Sequence, residues 1–141
     1  MEELKIVVGL VLAAILFLIS CIHIYWVLGG RWGISGAIPT RDSKPLFRQK
    51  TVTTILVAFA LLIAVIFILG RIGFLIKLAI PTSIFHYGIW GITVIFFIRA
   101  VGDFKYVGFF KKVRDSKFAY WDTRFHSPLC LFISISSLII I

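Results

Sequence analysis

The sequence predicts an all-α integral membrane protein, a four-helix transmembrane bundle with a cytoplasmic basic and aromatic interfacial segment. Three observations carry that expectation. Of 141 residues, 60% are hydrophobic and only 15% charged, whereas soluble domains run at about 45–50% apolar. The apolar residues gather in four runs, about 6–28, 51–69, 82–98 and 125–141, close to the roughly 20 residues that cross a bilayer. The net charge of +9 lies mostly between those runs, a distribution that speaks of topology and anionic lipid rather than nucleic acid. Four spans leave no room for a separate soluble domain of about 50 residues or more, so residues 1–141 read as a single transmembrane domain.

In chain order, Met1 to Lys5 set Glu2 and Glu3 against Lys5, the wrong balance for the basic start of a secretory signal. The first run, Ile6 to Leu28, is long enough to span. It contains Leu18-Ile19-Ser20-Cys21, which looks like a lipoprotein cleavage site, although the acidic start argues against that reading. Gly29 to Lys50 holds four glycines, two prolines and five basic residues against Asp42 alone, a loop without sustained period. Its first half is apolar enough to sit among headgroups, with Trp32 as an interfacial anchor. Thr51 to Leu69 is an uncharged span. The short Arg71–Pro81 connection, with Arg71 and Lys77, is expected along the interface, and Pro81 suits a first helical turn. Thr82 to Ile98 follows. The last run is shorter: if Ser127 and Pro128 start the helix as cap and first residue, the remaining residues reach about 21 Å against a core of about 30 Å. Either the helix begins earlier or the bilayer thins.

Orientation follows from Lys and Arg. Five stand in the Gly29–Lys50 loop (Arg31, Arg41, Lys44, Arg48, Lys50) and seven in Arg99–Ser127 (Arg99, Lys105, Lys111, Lys112, Arg114, Lys117, Arg124), against Lys5, Arg71 and Lys77 on the other side. Both long loops are therefore expected on the cytoplasmic face of the inner membrane and both termini outside.

Ionisable residues near membrane depth are the candidates for function. His23, in His23-Ile-Tyr-Trp26, is either an interfacial imidazole beside an aromatic belt or a ligand or proton-transfer group. Cys21 and His23 are about 200° apart around a helix, so with His126 and Cys130 they make a poor metal set, and no metal or other cofactor is indicated. His86, Trp90, Thr93 and Phe97 fall on one helical face, read as a packed seam or a groove. Cys130, Ser134 and Ser137 make a small-residue stripe suited to close helix approach. Arg99, Asp103, Asp122 and Arg124 are expected to pair among themselves or with Arg31, either pinning the loop or clamping an anion. Between them, cations alternate with rings. Phe109, Phe110, Lys111, Lys112, Arg114 and Trp121, together with Trp32, are expected at the lipid interface. GxSxG, HExxH and P-loop patterns are absent.

The sequence resembles the small bacterial membrane proteins grouped as domain-of-unknown-function family 3995. The residues concerned are His23-Ile-Tyr-Trp26, Gly29-Gly30-Arg31-Trp32-Gly33, Pro39, Phe97 through Lys111, Phe118, Asp122-Thr-Arg124 and Ser127-Pro-Leu-Cys130. The resemblance implies a four-helix bacterial membrane protein and no particular activity.

Three readings of function remain. The first is a non-catalytic protein that binds lipid headgroups or a hydrophobic ligand at the cytoplasmic leaflet through His23, Trp26, Arg31, Arg99, Asp103, Asp122 and Arg124. The second is an enzyme acting on a lipid-like substrate, with His23 as acid or base and Asp103 or Asp122 as partner. The weakest is an oligomeric transporter or channel. The bilayer, rich in anionic lipid, is the expected partner, with nucleic acid disfavoured and a homo-oligomer left open.

Overall fold

A computed structural model describes residues 1–42, 44–46, 50–75 and 79–141; Arg48 and Lys77, two of the cations counted above, lie outside the described residues. The elements are α1 (Glu2–Val27), the one-turn α2 (Ile34–Ala37), the short antiparallel pair β1 (Thr40–Arg41) and β2 (Lys44–Pro45), α3 (Thr51–Arg71), α4 (Thr82–Val101), α5 (Lys117–Trp121), a π turn (Asp122–His126) and α6 (Ser127–Ile140). The loop expected over 29–50 thus holds one helical turn and one two-residue ladder. Helices α1 and α4 each pack against both α3 and α6, which closes a square four-helix bundle. Four helices are long and apolar enough to cross a membrane: α1, α3, α4 and the continuous Lys117–Ile140.

That fourth helix answers the length problem. It begins at Lys117, ahead of Ser127, and its 24 residues reach about 36 Å. Ser127 is therefore no cap; its hydroxyl is buried and has no hydrogen-bond partner among the described residues. Pro128 sits inside the helix, where its ring would clash with the carbonyl four residues back and its missing N–H breaks the ladder. The turn immediately before it widens to π geometry, a known way for a helix to absorb such an interruption. Elsewhere, glycines end the spans. Gly29 and Gly73 take left-handed φ of 97° and 87°. In α1 the Gly30 amide returns to the Tyr25 carbonyl, and in α3 the Phe74 amide returns to that of Leu69, each satisfying an orphan carbonyl.

The inward faces carry small residues at helical spacing: Gly9, Ala13 and Ser20 on α1, Ala58 and Ala64 on α3, Ser134 and Ser137 on α6. Close approach lets hydroxyls reach across, with Ser20 donating to the Ala58 carbonyl (2.9 Å) and Ser134 to that of Thr93 (2.8 Å). The outward faces are apolar too; Leu18, Phe59, Ile66 and Ile95 are all more than half exposed, as suits helices solvated by hydrocarbon. This is why the face read on α4 is not the seam. Trp90 and Phe97 are exposed, and the buried residues are Phe85, Ile89, Ile92, Thr93 and Ala100. The Cys130, Ser134, Ser137 stripe does turn inward, with both serines buried and Cys130 half-buried.

Helices α3 and α4 meet through a reciprocal pair: the Phe85 ring lies against Gly70 and the Phe67 ring against Gly88, the two rings 6.2 Å apart and edge-on. A methyl at Gly88 would run into Phe67, whereas one at Gly91 would meet nothing. Gly88→Ala is expected to lower the detergent unfolding temperature by the equivalent of about 1–3 kcal/mol of overpacking, with part recovered by Phe67→Leu. Gly91→Ala is expected to be neutral or stabilising; equal behaviour of the two would contradict this packing.

Candidate functional site

At the end of the bundle where α1 and α4 finish and the fourth helix begins, the chain folds the 102–116 segment around one carboxylate. Asp122 is fully buried. Its Oδ1 accepts from Arg99 Nη2 (2.8 Å), and its Oδ2 from the Gly108 amide (2.8 Å) and Lys111 Nζ (2.9 Å). The Lys111 ammonium spends its other two protons on the Gly108 carbonyl (2.8 Å) and Thr123 Oγ1 (2.6 Å). An unpaired buried charge is costly, so each group here depends on the others. Two cations face one carboxylate, which leaves the cluster one positive charge in surplus.

The loop reaches this cluster by a tight reversal. Gly102 and Gly108 hold φ of 84° and 89° and lie so close that a side chain on either would strike the other's strand, at the Val107 or Val101 carbonyl. Asp103 Oδ1 accepts from the amides of Lys105 (2.9 Å), Tyr106 (2.8 Å) and Val107 (3.0 Å). Partial desolvation would raise its pKa, but the Val107, Lys105 and Tyr106 amides together outweigh this and hold the carboxyl below its ordinary value. Ser116 Oγ then accepts from the Ala119 amide (3.0 Å), capping α5.

Beside the cluster lies a cavity of about 760 Å³, within the size range of small-molecule sites. One face of α1 (Ile19, Ile22, His23, Trp26) forms a wall, Phe96 and Arg99 of α4 another, and the fourth helix a third along Trp121, Phe125, Leu129 and Ile133. Residues 32–37 form its rim, tied down where Trp26 Nε1 donates to the Trp32 carbonyl (2.7 Å) and where Gly36 packs on the Trp121 ring. The lining is mainly apolar, with polar groups collected as His23, Ser35, Arg99, Lys117, His126 and Cys130. His23 Nδ1 lies 2.8 Å from the Ile19 carbonyl, an acceptor, so Nδ1 is the donor there. Two polar nitrogens of the lining residues, Arg99 Nη1 and His126 Nδ1, are buried without a hydrogen-bond partner among the described residues.

Of the residues singled out in the sequence, His23, Trp26, Trp32, Arg99 and Trp121 line this cavity. Asp122 sits directly behind it. Pairing within the charge group occurs between Arg99 and Asp122; Asp103 instead holds loop amides, Arg31 is exposed, and Arg124 lies 4.8 Å over the Tyr120 ring. No hydrogen bond joins His23 to Asp103 or Asp122 among the described residues, and Asp122 has both oxygens engaged. Lys111, expected at the lipid interface, is instead buried in the cluster, where it supplies the second cation to Asp122. Phe110, Lys112 and Arg114 are exposed and Phe109 half-buried. His126 and Cys130, which the sequence offers only as part of a poor metal set, and Lys117 line the cavity as well. The signal that finds them is the continuous helix from 117, which sets Lys117, Trp121, Phe125, Leu129 and Ile133 four apart on one face. Among the described residues no group of three His, Cys, Asp or Glu could hold a metal ion.

Removing Asp122 leaves Lys111 and Arg99 without their counter-charge, so Asp122→Asn is expected to lose about 3–5 kcal/mol of stability, whereas Lys111→Met, which leaves Asp122 paired with Arg99, is expected to lose less. The double variant should lose less than the sum, as read from thermal unfolding in detergent; strict additivity would deny the pair. Asp103 has its folded pKa below the unfolded value, so its contribution is complete above the unfolded pKa and disappears as pH falls through the folded one. Amide shifts of Lys105, Tyr106 and Val107 are accordingly expected to titrate together below the usual aspartate range and to stop titrating in Asp103→Asn.

No curated protein and no solved structure matches the chain. A family model described as protein of unknown function (DUF3995) matches residues 16–137, a stretch containing every cavity residue named above, and the chain belongs to that family.

Proposed function

We propose that this is a multi-pass membrane protein whose cavity binds a single amphipathic molecule drawn from the bilayer. The observation that carries the reading is the cavity's division of labour: apolar walls reach down between the spans to Ile19, Phe96 and Ile133, while charged and polar groups gather at the loop end. A ligand with one apolar tail and one polar head matches that arrangement. The volume of about 760 Å³ suits one chain better than a bulky two-chain lipid. Binding in place of catalysis is favoured because Asp122 has both oxygens engaged and, among the described residues, neither it nor Asp103 hydrogen-bonds His23, whose Nδ1 faces the Ile19 carbonyl. The loop end is read as cytoplasmic from its twelve Lys and Arg against three at the other end. Trp32, Phe110, Lys112 and Arg114, all exposed, are read as holding it against anionic headgroups.

The test is native mass spectrometry of protein released from lipid nanodiscs. The expected result is one retained single-chain amphiphile per chain, lost when the rim is blocked by Ser35→Trp. Retention of nothing, or equal retention by the blocked variant, would overturn the reading.

A further inference from the structure

Resting on the cavity as a ligand site, we infer that its ligand is a single-chain amphiphile with an anionic head, a carboxylate or phosphate, held at Arg99 and His126. The lining contains two charged side chains, Arg99 and Lys117, both cationic, and no carboxylate among the described residues. Asp122 stands outside the lining and is already shared between Arg99 and Lys111, so the wall keeps its surplus positive charge. Lys117 has no ion pair among the described residues.

The hydrogen-bonding capacity points the same way. Arg99 gives Nη2 to Asp122 and leaves its side chain 34% exposed, with Nη1 unpartnered. His126 Nδ1 is likewise unpartnered, its ring held between Phe118 at 6.1 Å and Phe125 at 5.7 Å. An oxyanion accepts from both a guanidinium and an imidazole N–H, and both residues belong to the lining of the one cavity. A cationic head would meet Arg99 and Lys117 with no counter-charge, and a neutral head would leave the surplus unanswered. The apolar faces below, through Phe96, Leu129 and Ile133, take the tail.

Three of the four tryptophans, Trp26, Trp32 and Trp121, line the cavity, while Trp90 is exposed on α4. The probes are brominated stearate, brominated stearoyl lysophosphatidate, the brominated monoglyceride and the brominated alkylamine. They are titrated by tryptophan quenching into Trp90→Phe protein in zwitterionic nanodiscs. The inference expects saturable quenching by one or both anionic probes at about one tenth of the monoglyceride concentration, the scale of one charge-assisted hydrogen bond. Which of the two is tighter distinguishes a carboxylate from a phosphate head. Arg99→Gln and His126→Phe should each remove most of that preference, read as the ratio of the anionic to the monoglyceride half-quenching concentration in the same variant. His126→Phe keeps the ring packing, so it carries the test if Arg99→Gln fails to fold. Equal quenching by anionic and neutral probes, or tighter quenching by the amine, overturns the inference and leaves the cavity reading standing. Absence of saturable quenching by every probe overturns both.

Discussion

A carboxylate that is fully buried at the end of an apolar bundle has to be neutralised where it stands, and Asp122 imposes that requirement on everything around it. It draws Arg99 from the end of α4, Lys111 from the middle of the following loop and the Gly108 amide from the loop's reversal. The end of α4 and two points of the loop that follows it are thereby fixed to the first turns of the fourth helix. The glycines at 102 and 108 make the reversal sterically feasible, and Asp103 satisfies the amides that it exposes. The cavity is a consequence: with Arg99 and the fourth helix set against each other here, the walls from α1 and α4 stand apart and the space between them stays open.

Much of the architecture was legible because a bilayer constrains helices so strongly. Runs such as 51–69 admit one interpretation, and the observed α3 spans Thr51–Arg71. The same physics hid the helix faces. When the solvent is hydrocarbon, hydrophobicity no longer marks the inside, so the His86, Trp90, Thr93, Phe97 stripe looked like a seam although Trp90 and Phe97 face outward. Residue size was the better guide, as Ser134 and Ser137 show. The start of the fourth helix stays open in the sequence because Ser127 and Pro128 have the chemistry of a helix start, and a local rule of that kind does not anticipate a π turn that carries the helix through a proline.

The candidate site was legible in part for a related reason. Charge pairing at membrane depth led to Arg99 and Asp122, which do meet. Nothing in local sequence separates Lys111 from its neighbour Lys112, yet one is sealed in the cluster and the other is exposed; only the path of the 102–116 loop decides between them. His126 and Lys117 join the cavity wall for the same nonlocal reason. The protein thus combines a conventional bundle, set by small residues at its seams, with one charged knot that organises a polar end over an apolar space.

The sealed lysine offers the most direct test of this account. Intact protein in nanodiscs can be treated with an amine-reactive label and each lysine's modification followed by peptide mass spectrometry. The account predicts that Lys112 and Lys105 label readily while Lys111 stays protected, and that Asp122→Asn exposes Lys111. Labelling of Lys111 at the rate of Lys112 in the native protein would contradict it.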